Sequence, residues 1–137
     1  MKILAIDYGN KRVGLAISDE NGKLASRFLT LENKSLGSLI KEIKNIILEK
    51  NVSKIILGIP VGFDGESAQT RNIKKFAVEL GQNIDIPIIE INEIFTSKMA
   101  EENLLNADIK REEIKKIIDQ EAARIILQDH LDNKDVL

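Results

Sequence analysis

The chain contains no cysteine, no tryptophan, one histidine, one tyrosine and two prolines in 137 residues. Without cysteine it can form no disulfide, no thiolate metal site and no thiol nucleophile. A single histidine excludes multi-histidine zinc centres and makes any His-dependent triad rest on His130, whose expected role is charge at a helix C-terminus. A metal bound here must therefore sit mainly on oxygen ligands. No apolar run approaches the roughly 20 residues of a membrane span, and the amino terminus lacks the pattern of a secretory signal, so a cytoplasmic location away from membranes is expected. An excess of one charge is also missing: 20 Lys and Arg face 22 Asp and Glu, for a net charge of −2. That balance argues against a strongly basic nucleic-acid coat but leaves room for a local basic surface. The 43% of hydrophobic residues can build the core of one domain, expected over residues 1–132, with 133–137 as a loose tail.

Three aliphatic segments, Lys2 to Asp7, Arg12 to Ser18 and Lys23 to Leu31, read as an antiparallel meander. Gly9-Asn10 and Asn21-Gly22 are expected to supply positive φ in its two turns. From Ser35 to near Asn51 the period changes: Leu36, Leu39, Ile40, Ile43, Ile46 and Ile47 mark an amphipathic helix. A strand over Ser53 to Gly58, a helix over Ser67 to Leu80, a strand over Ile86 to Ile91 and two further helices follow, the last from Arg111 to Asp129. The order βββ-α-β-α-β-α-α predicts an α/β domain with a mixed five-stranded sheet covered by helices, as in RNase H-like folds.

Three acids stand where solvated charge is unusual. Asp7 ends the first strand on the face of Ile3 and Ala5. Glu93 lies just past a strand whose Ile89 and Ile91 share its face, and strand ends of α/β sheets are common ligand sites. Asp119 belongs to a helical stripe with Ala122, Ala123 and Ile126 that can approach a sheet closely. The plainer roles are a turn organiser for Asp7, a loop acid for Glu93, and a helical pair with Lys115 or Lys116 for Asp119. Converged, the three would repel unless a cation joined them, and oxygen ligands favour Mg²⁺ or Mn²⁺, the ions of two-metal phosphodiester chemistry. Candidates for phosphate positioning are Lys11 and Arg12 beside Asp7, and Arg71 with Lys74 and Lys75 on one helix face. The loop from Gly58 to Gly65 has glycines that admit a phosphate but no Walker lysine, and Asp64 is a turn residue or an outer contact.

The run Ala5-Ile6-Asp7-Tyr8-Gly9-Asn10-Lys11-Arg12-Val13-Gly14, then Gly58-Ile59-Pro60, Asp64-Gly65 and Phe76-Ala77, then Asp119-Gln120-Glu121-Ala122-Ala123, together resemble the YqgF-type proteins. Members of that family are described as RuvC-like resolvases and as nucleases processing the 5′ end of pre-16S ribosomal RNA. The resemblance spans nearly the whole chain. It implies an RNase H-like fold and metal-dependent phosphodiester hydrolysis, with Asp7, Glu93 and Asp119 as catalytic metal ligands. It also implies nucleic-acid partners: pre-rRNA first, ribosomal precursor particles with it, and branched DNA as the alternative, for a monomer or homodimer. One segment departs. Where the family reads Asp-Glu-Arg-Leu-Thr-Thr, this chain has Asn92-Glu93-Ile94-Phe95-Thr96-Ser97, so the glutamate stays and the arginine is gone. That loss opens a competing reading, a non-catalytic RNA-binding ribosome-assembly factor. A third reading, an ATP-binding relative of the actin and sugar-kinase superfamily, rests on Asp7-Tyr8-Gly9 after a strand and is disfavoured by length.

Overall fold

A computed structural model describes residues 1–60, 68–93 and 96–133, without the side chains of Pro60, Glu93, Thr96 and Ser97. Its strands are β1 (Lys2–Tyr8), β2 (Arg12–Ser18), β3 (Ala25–Glu32), β4 (Val52–Pro60) and β5 (Ile88–Glu93). Its helices are α1 (Leu36–Lys50), α2 (Ala68–Asn83), α3 (Thr96–Asn106) and α4 (Arg111–Asn133). The sheet order is β3-β2-β1-β4-β5, antiparallel from β1 to β3 and parallel across β1, β4 and β5. This is the mixed five-stranded α/β sheet that the sequence predicts.

Alternation along the strands builds two cores. Leu4, Ile6, Val13, Leu15, Ile55 and Leu57 pack with Leu39, Ile43, Ile73 and Phe76 of α1 and α2 on one side. Ile3, Ala5, Ala16 and Ile56 pack with Ala123, Ile126 and Leu127 of α4 on the other. No helix of the described residues is long and apolar enough to cross a membrane.

Several boundaries move for identifiable reasons. The third strand starts at Ala25 rather than Lys23 because the Asp19 carboxylate accepts from the Lys23 and Leu24 N–H groups at 2.8 and 3.2 Å, holding both in the turn. Gly22 has the expected positive φ of 67°, but Asn21 does not, and neither Gly9 nor Asn10 does. What Gly9 provides is room: a Cβ there would lie 2.5 Å from the Arg12 carbonyl oxygen. The last strand begins at Ile88, since Pro87 has no N–H to give a ladder. Helix α1 has the expected ends, with Ser35 Oγ accepting from Ser38 N and Asn51 in the left-handed region at φ 54°. Helix α4 includes Asn133, whose side chain donates to the Asp129 carbonyl at 2.7 Å. Residues 134–137 of the expected tail lie outside the described residues, as do Asp64 and Ile94.

Candidate active site

Asp7 stands at the carboxyl end of the central strand on the α4 side of the sheet, as its parity with Ile3 and Ala5 requires. Register shows what surrounds it. Asp7 is opposite Gly14 on β2 and Gly58 on β4, so the residue directly across from it on each neighbouring strand is a glycine. The row continues from Gly58 to Ile91 on β5, and Glu93 follows two residues later, in register with Pro60. The backbone thus brings Glu93 to the same end of the sheet, while its side chain lies outside the described residues.

Gly14 also admits the helix. A Cβ built there would lie 2.2 Å from the Asp119 carbonyl carbon and oxygen and 2.6 Å from its Cβ, so α4 rests directly on β2. Asp7 and Gly14 are paired residues of an antiparallel ladder, whose Cα atoms lie about 4.5–5.5 Å apart. Asp7 and Asp119 therefore belong to one small patch, joined through a glycine. The Asp119 side chain is 26% exposed and accepts from Arg12 Nε at 3.1 Å. This tertiary pair stands in place of the plainer alternative, a helical pair with Lys115 or Lys116, and Lys116 instead faces Glu113 at 3.7 Å.

Polar residues clamp α4 over the site. Gln120 donates to Thr30 Oγ1 at 2.9 Å, and Thr30 is the β3 residue opposite Gly14. Near the other end of the helix, Gln128 accepts from Ala25 N at 2.9 Å and donates to the Lys23 carbonyl at 3.0 Å, satisfying the edge of β3. Between them Glu121 is buried, its side chain 5% exposed, and takes a forked pair of bonds from Arg124 at 2.7 and 2.6 Å. Burial pushes the Glu121 carboxyl up, but Arg124 outweighs it and, with Asn103 and Arg27 behind, holds it below the usual carboxylate range. Sequence reasoning gave Glu121 no role. Its only signal was the Glu121-Arg124 spacing of three, which many solvated helix faces share.

Of the other candidates, Lys11 is exposed in the β1–β2 turn. Arg71 is exposed on α2, in the layer across the sheet from Asp7 and Asp119. Among the described residues, no three Asp, Glu or His side chains group closely enough to hold a metal by themselves. A three-carboxylate centre would thus draw its third ligand from beyond those side chains, and Glu93 is the candidate.

The RuvX family, described as Holliday junction resolvases, matches residues 1–133. The chain belongs to that family. Relatives called "Putative pre-16S rRNA nuclease" include one from Maridesulfovibrio salexigens, 38% identical over 129 residues, covering 93% of this chain and 96% of the relative. Another, from Dictyoglomus turgidum, is 40% identical over 134 residues, covering 97% and 95%. Among solved structures, T. thermophilus RuvC in complex with a Holliday junction substrate superposes with a TM-score of 0.65 at 10% identity, covering 98% of this chain and 95% of that one. Fowlpox virus resolvase with its junction DNA gives 0.63 at 14%, covering 98% and 99%. Likeness at such low identity speaks for the fold, which is RNase H-like.

Proposed function

We propose that the chain is a divalent-metal-dependent endonuclease that hydrolyses phosphodiester bonds, acting in the cytoplasm on the 5′ end of pre-16S rRNA. The observation that carries this is the placement of Asp7 and Asp119 on one face across Gly14. The names of the two relatives support the substrate.

The donor set fits a hard cation. Both side chains offer carboxylate oxygens, the residues directly opposite Asp7 on β2 and β4 are glycines, and Arg12 Nε bonds Oδ2 of Asp119. Asp7 and Asp119 would hold the ion, Mg²⁺ or Mn²⁺, with Glu93 as third ligand. Such an ion supplies Lewis acidity and charge neutralisation for an in-line displacement at phosphorus. The remaining work falls to the chain. Arg12 balances the Asp119 charge until the carboxylate is needed elsewhere, and its guanidinium, half in solvent, then has its donors ready for a phosphate oxygen. Lys11 adds a second cation at the same turn.

The test is cleavage of a 5′-extended 16S precursor and of a four-way DNA junction with Mg²⁺ and with Mn²⁺, alongside Asp7→Asn. Metal-dependent cleavage of the precursor that disappears in the variant is expected. Inactivity on both substrates with both ions, or equal cleavage by Asp7→Asn, overturns the reading. The family description makes the junction the second substrate, and preference for it would replace RNA in the proposal.

A further inference from the structure

Tyr8 follows Asp7 directly, so strand alternation turns its ring to the opposite side of the sheet from the carboxylate. There it rests on Phe76 of α2, ring centroids 4.7 Å apart, and walls a cleft of about 390 Å³ shared with Asn10, Asn33, Asn72 and Lys75. That volume lies in the usual range of small-ligand sites, about 300–1,000 Å³.

The polar groups of this cleft are partly committed, which defines what they offer. Asn33 Nδ2 donates to the Gly9 carbonyl at 2.8 Å, leaving the Asn33 amide oxygen as an acceptor. Asn72 Nδ2 donates to Asn10 Oδ1 at 3.3 Å, which leaves the Asn10 NH₂ group as donor and the Asn72 amide oxygen as acceptor. Lys75 is exposed and has no ion pair among the described residues. A flat aromatic wall, paired donors and acceptors, and a cation at the rim are the elements that recognise an unpaired nucleotide.

We propose that this cleft is a subsite for one unpaired nucleotide next to the bond being cut. The base lies against Tyr8, its edge meets the Asn10, Asn33 and Asn72 amides, and its phosphate meets Lys75. The identity of the ligand rests on the nuclease reading, since the Asp7 carboxylate and the Tyr8 ring leave adjacent positions of one strand end. A strand crossing the carboxyl end of β1 meets both.

The protein supplies its own probe, because Tyr8 is its one tyrosine and it has no tryptophan. Short single-stranded oligoribonucleotides titrated into the wild-type chain without divalent ions should quench tyrosine emission to saturation. By polarisation of a labelled oligonucleotide, Asn72→Ala and Lys75→Ala should each raise Kd about fivefold or more. Lys75→Ala should also lower the salt slope of log K by roughly one. Tyr8→Phe, which keeps the stacking surface, should bind within about twofold of wild type. Both exposed substitutions leave the core untouched, so their melting temperatures should match wild type. Unquenched tyrosine at saturating oligonucleotide, or unchanged Kd in both Asn72→Ala and Lys75→Ala, overturns the subsite. Saturable quenching in a chain that cuts nothing supports the subsite and counts only against the nuclease; cutting without quenching does the reverse.

Discussion

Replacing Gly14 by alanine tests the architecture of the site without touching an ionisable group. The new Cβ would stand 2.2 Å from backbone atoms of Asp119, where ordinary contacts need more than 3 Å, so α4 must retreat by roughly 1 Å. Backbone on both sides of the clash leaves no flexible side chain to absorb it. Overpacking of this kind costs about 1–3 kcal/mol, and each kcal/mol lowers Tm by about 4 °C in a domain of this size. The retreat also separates Asp119 from Asp7, and a misplacement of about 1 Å can cost on the order of 10²-fold in rate. Gly37→Ala is the control: nothing lies within 4 Å of a Cβ there, in the first turn of α1, so it should be neutral or stabilising by up to about 1 kcal/mol. Thermal denaturation and metal-dependent cleavage of both variants decide the matter. Gly14→Ala with wild-type Tm and cleavage would mean that α4 does not lie on β2 at this point, and the pairing of Asp7 with Asp119 would fall with it.

Arg12→Ala removes the cation on Asp119, so Mn²⁺ affinity should hold or tighten while KM for a cleavable oligonucleotide rises about tenfold. Weaker Mn²⁺ binding or an unchanged KM would refute the dual role given to Arg12. Glu121→Ala should destabilise by about 3–5 kcal/mol in urea, because it strands Arg124 in a partly buried position, and Glu121→Gln should recover much of that. A loss below about 0.5 kcal/mol would make this network peripheral. Gln128→Ala leaves the N–H of buried Ala25 without its acceptor and should cost about 1–3 kcal/mol by the same measurement; no loss would show that the N–H finds another partner.

Periodicity made the order of elements readable because each strand and helix buries one consistent face. Leu36 to Ile47 could be nothing but an amphipathic helix, and Ile3 and Ala5 fixed the side on which Asp7 stands. Ends were harder to place, since they depend on local competition: a single carboxylate, Asp19, removes two residues from β3. The stripe of Asp119, Ala122 and Ala123 was legible as a close-packing surface, but its counterpart was not. Gly14 and Gly58 look like ordinary strand glycines until register sets them on either side of Asp7. Register also decides the Arg12 contact, which spans 107 positions and cannot be seen from helical spacing. The Tyr8 cleft escaped for the same reason, as Asn10, Asn33 and Asn72 are far apart in sequence and meet only in the fold.

The central claim is that Asp7 and Asp119 hold one cation between them. Calorimetric titration of Mn²⁺ into the wild-type chain, Asp7→Asn and Asp119→Asn tests it most directly, with no dependence on finding the substrate. Saturable binding by the wild type, weakened at least about tenfold in each variant, is the result predicted. Wild-type affinity in either variant, or no binding by the wild type, would contradict it.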